Sequence, residues 1–181
     1  KRKSIFLHEQ NAVLGSANKL LSRVSVINFL GFPITGIKKS VLSGNPIRNV
    51  FNDNHINDVD TNDESIRIYI TGGSQGSEYI NTTVPLIFKE IPYDLKIKHQ
   101  CGKNKMTKVK ELYESNDINA EVNEFYKHPN EQILWSDFVI SRAGAISLSE
   151  ITSLKRGAVM IPLPTSIDNH QLKNAQSIEK I

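Results

Sequence analysis

The segment TGGSQG at 71–76 combines three glycines with small polar residues, directly after the β-branched run at 68–71. Glycines between a strand and a helix let the backbone approach a ligand closely, and the helix N-terminus beyond them offers unpaired N–H groups and a partial positive charge. The chemistry that this arrangement favours is the binding of a phosphate or diphosphate. A tight strand-to-helix turn accounts for the glycines equally well, so this segment alone does not decide between the two.

Two familiar nucleotide loops do not fit the segment. No Gly-Lys-Ser/Thr follows Gly76, so the lysine and the magnesium-binding hydroxyl of a P-loop are missing. The glycines at 72, 73 and 76 lack the G-x-G-x-x-G spacing of a dinucleotide site. The next predicted strand ends in His99-Gln100, without an acid to bind a ribose.

A second loop, RAGAISLSE at 142–150, repeats the arrangement of a strand, small residues and a helix start. Because both loops follow strands of one predicted parallel sheet, they can face one crevice and offer two helix N-termini to one diphosphate. Glu150, in the first turns of the second helix, can accept two hydrogen bonds from a ribose diol. It can equally be an acid placed favourably near the positive end of its helix.

The elements that must position these loops follow from periodicity. Strands and helices alternate at a spacing typical of right-handed βαβ units, which predicts an α/β fold with a doubly wound parallel sheet. We predict strands at 67–71, 95–100, 138–141 and 158–162. We predict helices at 78–89, 103–114, 148–154 (opened by Ser147) and 169–181.

The first 47 residues read as the tail of another α/β unit, with a helix that Ser16 caps and too few strands to close a sheet of its own. The polar segment 48–65 reads as a join and surface linker. Asp58, Asp60 and Asn62 have the spacing of an EF-hand, but Asp63 and Tyr69 occupy its glycine and bidentate glutamate positions, so we expect no metal site.

Composition excludes several classes of protein. The 181 residues carry a formal charge of +3 without a concentrated basic patch, which disfavours nucleic acid as a partner. A single cysteine favours a reducing compartment, and no apolar run is long enough to span a bilayer or to act as a signal peptide. Because the chain starts at Lys1 and ends inside a predicted helix, we expect it to be a fragment.

Five motifs, in this order, resemble the MurG family of glycosyltransferases: HEQNAVLGSANKLLS, GNPIR, TGGSQGSEYIN, RAGAISLSE and PLPTSIDNHQLKNA. The resemblance extends from residue 5 to residue 175. It implies a GT-B fold of two Rossmann-like halves, with helices on both faces of a parallel sheet. Residues 1–47 then belong to an incomplete first half, which lacks its glycine-rich, histidine-containing loop, and residues 66–181 to the nucleotide-sugar-binding second half.

The family's activity is the inverting transfer of N-acetylglucosamine from UDP-N-acetylglucosamine to the 4-hydroxyl of undecaprenyl-diphospho-N-acetylmuramoyl-pentapeptide, which forms lipid II for peptidoglycan. The resemblance implies these two substrates, no cofactor and no covalent intermediate. It also implies a peripheral location on the cytoplasmic face of the bacterial inner membrane. We expect donor binding without appreciable transfer from these residues alone.

The resemblance also assigns substrate-binding residues. Tyr126 matches the position whose backbone meets the uracil edge, while His8 and Glu9 read as structural residues at a strand end. The complete set of predicted substrate-binding residues is Asn11, Arg48, Ser74, Tyr126, Ala145, Ile146, Ser147, Leu148, Ser149, Glu150, His170 and Gln171. Among these, Arg48 and Ser74 match donor contacts, and residues 145–150 match the helix start under the diphosphate, with Glu150 on the ribose. Asn11 and Gln171 match residues around the sugar, with His170 as the alternative to Gln171.

Three other functions remain open from the sequence. The chain can be a noncatalytic nucleotide-sugar-binding protein, or a UDP-N-acetylglucosamine 2-epimerase of the same architecture, against which HEQN and GNPIR argue. A nicotinamide oxidoreductase is disfavoured because the dinucleotide fingerprint is missing.

Overall fold

The computed structural model describes residues 3–51 and 64–179. The strands in these residues are β1 (Phe6–Glu9), β2 (Ile27–Leu30), β3 (Ser40–Leu42), β4 (Ile66–Thr71), β5 (Leu95–Gln100), β6 (Ala120–Asn123), β7 (Phe138–Ser141) and β8 (Gly157–Met160). The helices are α1 (Ser16–Leu21), α2 (Glu78–Phe88), α3 (Met106–Glu114), α4 (Pro129–Trp135), α5 (Ala145–Ser153) and α6 (His170–Glu179). Short 3₁₀ turns occupy Asn49–Phe51 and Ile167–Asn169.

Backbone contacts divide the chain into two compact units that are built from discontinuous segments. The first unit comprises Lys1–Ile47, Ala143–Ser149 and Pro162–Ile181, and the second comprises Arg48–Arg142 and Glu150–Ile161. The division of the sequence into 1–47, 48–65 and 66–181 describes continuous segments instead, and it stays a prediction.

The second unit contains a five-stranded parallel sheet in the order β6-β5-β4-β7-β8. Central strand β4 reads IRIYIT, and Ile68, Tyr69 and Ile70 are each at most 1% exposed, as expected for a strand covered on both faces. The strand order reverses between β4 and β7, whose last residues, Thr71 and Ser141, are register partners. In such sheets ligands bind beyond the carboxyl ends of the strands at this reversal. The predicted parallel α/β fold is therefore confirmed.

The core of the second unit lies under α2 and α3, which pack against each other. Each of its fully buried aliphatic side chains contributes about 1.5 to 3 kcal/mol relative to exposure. Its most buried members include Ile70, Ile80, Val84, Ile97, Val109 and Tyr113. This packing fixes the orientation of α2, whose first turn follows the glycine-rich segment.

Several element predictions for the second unit need correction. We did not predict β6 and α4, because AEVN has only two apolar residues and α4 has only seven residues in all. Pro129 at the first helical position was a usable signal for α4. Helix α5 begins at Ala145, so Ser147 lies inside its first turn instead of opening it.

The first unit contains a parallel sheet of its own, in the order β1-β2-β3, contrary to our expectation of too few strands. Helix α1 begins at Ser16 with Gly15 at the capping position, so the prediction of a Ser16 cap was wrong. The Glu9 carboxylate takes over part of that function, since its Oε2 accepts from the Gly15 N–H at 2.9 Å and from Asn18 Nδ2 at 2.9 Å. A carboxylate is favoured at this end of a helix by the helix dipole.

Most of the predicted polar linker, including Asp58, Asp60 and Asn62, lies outside the described residues. The preceding 3₁₀ turn ends in Phe51, which is completely buried and whose carbonyl accepts from Ser153 Oγ at 3.3 Å. In the ranges 3–51 and 64–179, no helix has both the length and the apolar character that crossing a membrane requires.

Candidate nucleotide-sugar site

The glycine-rich segment forms a turn in which side chains would not fit. A Cβ on Gly72 would overlap the Ser77 backbone nitrogen. Gly76 has φ +69°, in the left-handed region, and a Cβ there would overlap the Cys101 carbonyl. Ser77 caps α2, accepting from the Ile80 N–H at 3.3 Å, and Ser74 is exposed on the turn. The turn thus presents backbone groups and the start of α2, where N–H groups other than that of Ile80 are oriented toward a ligand, at the carboxyl end of β4.

Gln100, the last residue of β5, is 4% exposed and joins this turn to the loop after β6. Its Nε2 donates to the Gly73 carbonyl at 3.1 Å and to Thr71 Oγ1 at 3.2 Å. Its Oε1 accepts from the Tyr126 N–H at 3.1 Å and from the Tyr69 hydroxyl at 3.4 Å. In the sequence, His99-Gln100 indicates only that an acid for the ribose is missing, and this connection was not predicted.

His99, the residue before Gln100, makes a second buried network with α2 and α3. Asn81 Nδ2 donates to the Cys101 carbonyl at 2.8 Å, which leaves its Oδ1 to accept from His99 Nε2 at 3.1 Å. His99 Nδ1 then accepts from the Tyr113 hydroxyl at 2.9 Å. Burial lowers the pKa of His99 to about 4, so the ring is neutral at physiological pH. This network fixes the start of α2 and the turn at Cys101.

Tyr126, the predicted uracil position, has a buried side chain and a backbone N–H that is already bonded to Gln100. Its ring packs edge-on against Tyr69 with centroids 5.8 Å apart, and its hydroxyl donates to Glu121 Oε1 at 2.9 Å. Burial raises the pKa of this hydroxyl. The neighbouring Phe125 is 61% exposed. The Tyr126 side chain is therefore closed to a ligand, whereas the Phe125 side chain and backbone groups of this loop are accessible to one.

Arg48 and Glu150, 102 residues apart in sequence, form an ion pair in the second unit. Arg48 Nε and Nη2 donate to Glu150 Oε1 at 3.1 and 3.0 Å. The Arg48 guanidinium also lies over the Phe51 ring, 4.8 Å from its centroid. The Glu150 side chain is only 13% exposed, whereas that of Arg48 is 55% exposed. The structure thus brings together two residues that the sequence assigned separately to donor binding.

The remaining predicted site residues belong to the first unit. Leu148 N–H donates to the Gly144 carbonyl at 2.9 Å, so α5 has Gly144 at its capping position. The side chains of Ala145 and Leu148 are 6% and 1% exposed, so any ligand contact from them must come from the backbone. Ile146 is partly exposed, as are Ser147 and Ser149, and Ser149 Oγ donates to the Ala145 carbonyl at 2.9 Å.

Asn11 is held by protein groups at both ends of its amide. Its Oδ1 accepts from Asn174 Nδ2 at 3.1 Å, and its Nδ2 donates to Glu9 Oε1 at 3.4 Å. Asn174 is completely buried on α6 and also contacts the Ala12 N–H at 2.7 Å and the Ala143 carbonyl at 3.1 Å. Sequence reasoning missed Asn174, although asparagine is unfavourable inside a helix unless its amide has partners.

His170 and Gln171 begin α6 and both bond to nearby backbone. His170 Nδ1 donates to the Ile167 carbonyl at 2.8 Å, and Gln171 Oε1 accepts from the Leu163 N–H at 2.9 Å. Asp168 and Asn169 both have φ near +53°, so the chain is tightly turned where it enters the helix. Contact of Asn11, His170 or Gln171 with a sugar stays a prediction.

Glu9 shows why a buried acid in this region has a structural role. Burial would raise the pKa of its carboxyl group, but hydrogen bonds from the Asn11 and Gly15 N–H groups and from the Asn18 and Asn11 amides lower it overall. His8 Nε2 bonds to the Gly44 carbonyl at 3.2 Å. Among the described residues, no three His, Cys, Asp or Glu side chains lie close enough together to hold a metal ion.

The first unit also contains an open cavity of about 670 Å³ next to α1. Basic side chains and aliphatic side chains line it together, a combination suited to an anionic group attached to an apolar one. The basic members are Lys19, Arg23, Lys38, Lys39 and Lys173, and the larger aliphatic members are Val13, Leu14, Ile34 and Ile37.

Comparison with known proteins identifies relatives of the whole chain. Proteins from Aeromonas hydrophila and from Wolbachia of Drosophila simulans are 34% and 36% identical over 96% and 97% of the chain, respectively. Both are named "UDP-N-acetylglucosamine--N-acetylmuramyl-(pentapeptide) pyrophosphoryl-undecaprenol N-acetylglucosamine transferase". The chain covers 49% and 52% of these relatives, and so spans about half the length of the curated relatives it matches.

Solved structures give the same result. The crystal structure of Acinetobacter baumannii MurG has a TM-score of 0.84 and 30% identity, over 98% of this chain and 51% of that one. The glycotransferase of kitacinnamycin, with a TM-score of 0.61 and 14% identity, shares the fold. These matches confirm the resemblance to the MurG family and the predicted GT-B fold class. Residues 67–181 match the family model "Glycosyltransferase family 28 C-terminal domain", and the chain therefore belongs to glycosyltransferase family 28.

Proposed function

We propose that this chain binds UDP-N-acetylglucosamine and belongs to an enzyme that transfers N-acetylglucosamine to a lipid-linked N-acetylmuramyl-pentapeptide. The observation that carries the proposal is the glycine turn, which leads into the N-terminus of α2 where the strand order of the second unit reverses. A diphosphate suits this position because it accepts hydrogen bonds from unpaired N–H groups and is attracted by the helix dipole. The names of the 33–36% identical relatives supply the sugar and the acceptor.

The residues have distinct roles in this proposal. Ser74 and the backbone of the turn bind the diphosphate, and the loop at Phe125 and Tyr126 binds the uracil edge through its backbone. Glu150 exchanges its bond to Arg48 for the ribose diol, while Arg48 stays beside the donor as a positive charge. The start of α5 binds the diphosphate, and Asn11 and Gln171 bind the sugar, with His170 as the alternative to Gln171.

The transfer proceeds with inversion: the acceptor's 4-hydroxyl attacks C1 of the donor sugar as the bond from C1 to the UDP oxygen breaks. Negative charge develops on the leaving diphosphate. Oriented backbone N–H groups stabilise such charge without having to reorganise during the reaction. No covalent bond to the protein forms in this scheme.

Nucleotide binding tests the proposal. Titration calorimetry with UDP, ADP and GDP is expected to give the highest affinity for UDP, because backbone hydrogen bonds discriminate between base edges more strongly than apolar shape does. Equal affinities for the three nucleotides would contradict it. For the intact gene product, incubation with UDP-N-acetylglucosamine and a lipid-linked acceptor separates transfer to the lipid from 2-epimerisation of the free nucleotide sugar.

We also propose peripheral contact with the cytoplasmic face of the bacterial inner membrane, through the surface around α1. Leu20 and Val24 are 67% and 66% exposed, beside the basic side chains of Lys19 and Arg23. Apolar side chains among basic ones are typical of interfacial helices. Sedimentation with vesicles of anionic phospholipid, compared with zwitterionic vesicles, tests this contact. Equal sedimentation with Leu20→Ser and Val24→Ser in place would contradict it.

A further inference from the structure

Among the described residues, Gln100 is the only one whose side chain forms hydrogen bonds to both the glycine turn and the loop after β6. Its partners on the turn are the Gly73 carbonyl and the Thr71 hydroxyl, and its partner on the other loop is the Tyr126 N–H. Thr71 Oγ1 in turn accepts from the Gly73 N–H at 3.1 Å. The amide is buried, so these bonds are not in competition with bulk water.

The partners determine which way the amide faces. The Gly73 carbonyl can only accept and the Tyr126 N–H can only donate, so Gln100 must present Nε2 to the first and Oε1 to the second. With the Tyr69 hydroxyl and Thr71 Oγ1 included, all four hydrogen-bonding positions of the amide have partners. A carboxylate lacks the donor and an ammonium lacks the acceptor, so neither can replace it.

The bond to Tyr126 also orients the preceding carbonyl. The peptide between Phe125 and Tyr126 is planar and trans, so its N–H and its C=O point in opposite directions. Because the N–H points at buried Gln100, the Phe125 carbonyl points away from Gln100. Such a carbonyl accepts a hydrogen bond from a base that carries a ring N–H, as uracil does at N3, and repels the unprotonated N3 of cytosine.

We propose that Gln100 is a positioning residue that fixes the glycine turn relative to the loop at Phe125 and Tyr126, and thereby sets selectivity for uracil over cytosine. The inference rests on the proposed function. Gln100 does not contact the nucleotide; it acts through the two backbone segments that do. Its loss frees the peptide before Tyr126 to rotate, and it removes the partner of the buried Tyr126 N–H and of the partly buried Gly73 carbonyl.

The test compares UDP and CDP, which differ only in the base. Titration calorimetry on Gln100→Leu is expected to give at least a tenfold smaller ratio of UDP to CDP affinity than the unsubstituted chain, with weaker binding of both diphosphates. Thr71→Val removes one of the four partners, together with the bond from the Gly73 N–H, and is expected to reduce the ratio less, in the same direction. If Gln100→Leu does not fold, Thr71→Val carries the test.

Tyr113→Phe is the matched control, because it removes a buried hydrogen bond from His99, the neighbour of Gln100, without touching either loop. It is expected to lower the melting temperature and leave the UDP to CDP ratio unchanged. An unchanged ratio in both Gln100→Leu and Thr71→Val would overturn the inference, as would an equal fall in Tyr113→Phe.

Hydrogen exchange of the Tyr126 amide, measured by NMR without nucleotide, separates this inference from the proposed function. Exchange is expected to accelerate at least tenfold in Gln100→Leu, beyond any change in Tyr113→Phe. Failure of the unsubstituted chain to bind UDP would refute the proposed function alone. Unchanged exchange at Tyr126 would refute the positioning role even if UDP binds as proposed.

Discussion

The Glu150 carboxylate has one partner in the structure, Arg48, and a second in the proposed complex, the ribose diol. In the structure Oε1 accepts both bonds from Arg48, and within the described part of the chain no hydrogen bond to Oε2 is found. The pair is half exposed on the Arg48 side, so it contributes little to stability, about 0.2 to 1 kcal/mol. A bond from a carboxylate to a ribose hydroxyl is stronger, about 1.5 to 3 kcal/mol. Loss of the pair with Arg48 therefore affects mainly stability, by a small amount, whereas loss of the bond to the ribose affects nucleotide affinity.

We expect Glu150→Ala to weaken UDP binding about 10- to 150-fold, because the charged acceptor is lost. The free energy of unfolding should change by less than about 1 kcal/mol. Titration calorimetry and thermal unfolding on the same preparations measure both. Glu150→Gln is the matched control: it keeps an acceptor for the ribose but loses the charge that pairs with Arg48, so its affinity should fall less. Unchanged affinity with a lowered melting temperature would mean that Glu150 serves only its helix and Arg48.

At the scale of elements, the turn between β4 and α2 depends on close approach of two backbone segments. Gly76 packs against the Cys101 carbonyl, and Gly102, with φ +87°, packs in return against the Gln75 carbonyl. Gly73 has a similar φ of +81° but open space around the position of a Cβ. A side chain at Gly73 therefore adds backbone strain alone, whereas a side chain at Gly76 adds backbone strain and steric overlap.

We expect Gly73→Ala to destabilise the second unit by about 1 to 2 kcal/mol, the cost of a left-handed residue with a side chain. Gly76→Ala adds overlap with Cys101 and should cost on the order of 3 to 4 kcal/mol. Urea unfolding monitored by tryptophan fluorescence gives both values. Similar costs for the two substitutions would show that the approach to Cys101 relaxes easily.

The elements that the sequence predicted correctly are those that packing and propensity both favour. β5 and β7 were predicted with their observed bounds, because LKIKHQ and FVIS are flanked by turn residues and carry buried apolar positions. The edge strand β6 was missed, since its order comes from pairing with β5 along Ile97 to Gln100 and not from its own composition. Helix starts were displaced where glycine or an unpredicted turn provides the cap, as at Gly15 and Gly144.

At the scale of the whole molecule, the two units contain different buried titratable groups. His99 in the second unit has its pKa lowered from 6.5 to about 4 by burial. Glu9 in the first unit has its pKa lowered below 4.5, because hydrogen bonds to the carboxylate outweigh its burial. In both cases the unfolded chain binds a proton more readily than the folded unit, so stability is lost as the pH falls.

We expect the second unit to lose stability between pH 6.5 and about 4, by up to roughly 3 kcal/mol, as unfolded His99 takes up a proton that the folded unit excludes. The first unit is expected to lose stability below pH 4.5, because the folded pKa of Glu9 lies below that value. Trp135, the single tryptophan, belongs to the second unit, so its fluorescence follows that unit alone. Lys98 Nζ lies 4.3 Å from the centroid of its ring. NMR signals of the Asn11 and Gly15 amides follow the first unit.

Two variants isolate these contributions from the other titrating groups. His99→Gln should be less stable at pH 7 but should flatten the dependence that tryptophan reports between pH 6.5 and 4. Glu9→Gln should remove the acid-dependent loss in the first unit and leave the tryptophan signal unaffected. A tryptophan profile unchanged by His99→Gln would show that the folded unit binds a proton at His99 as readily as the unfolded chain does.

The candidate site was predictable in part. Motif order led to the predicted donor-binding residues, which stay a prediction, and the glycine spacing indicated the turn. Bonds between distant segments left no local signal. The pairing of Arg48 with Glu150, the partners of Asn174 and the connection through Gln100 all join residues at least 26 positions apart. Glutamine and asparagine at these positions look like ordinary polar residues until the fold shows that they are buried.

The contact between Gly76 and Cys101 makes the chain's only thiol a chemical probe of the glycine turn. Cys101 is completely buried, its Sγ lies 3.3 Å from the Asn123 carbonyl, and burial raises the pKa of the thiol. A thiol-reactive dye can therefore reach it only during openings that expose this side chain. The labelling rate then measures how often such openings occur, and under the proposed function a nucleotide that stabilises the turn is expected to slow the labelling.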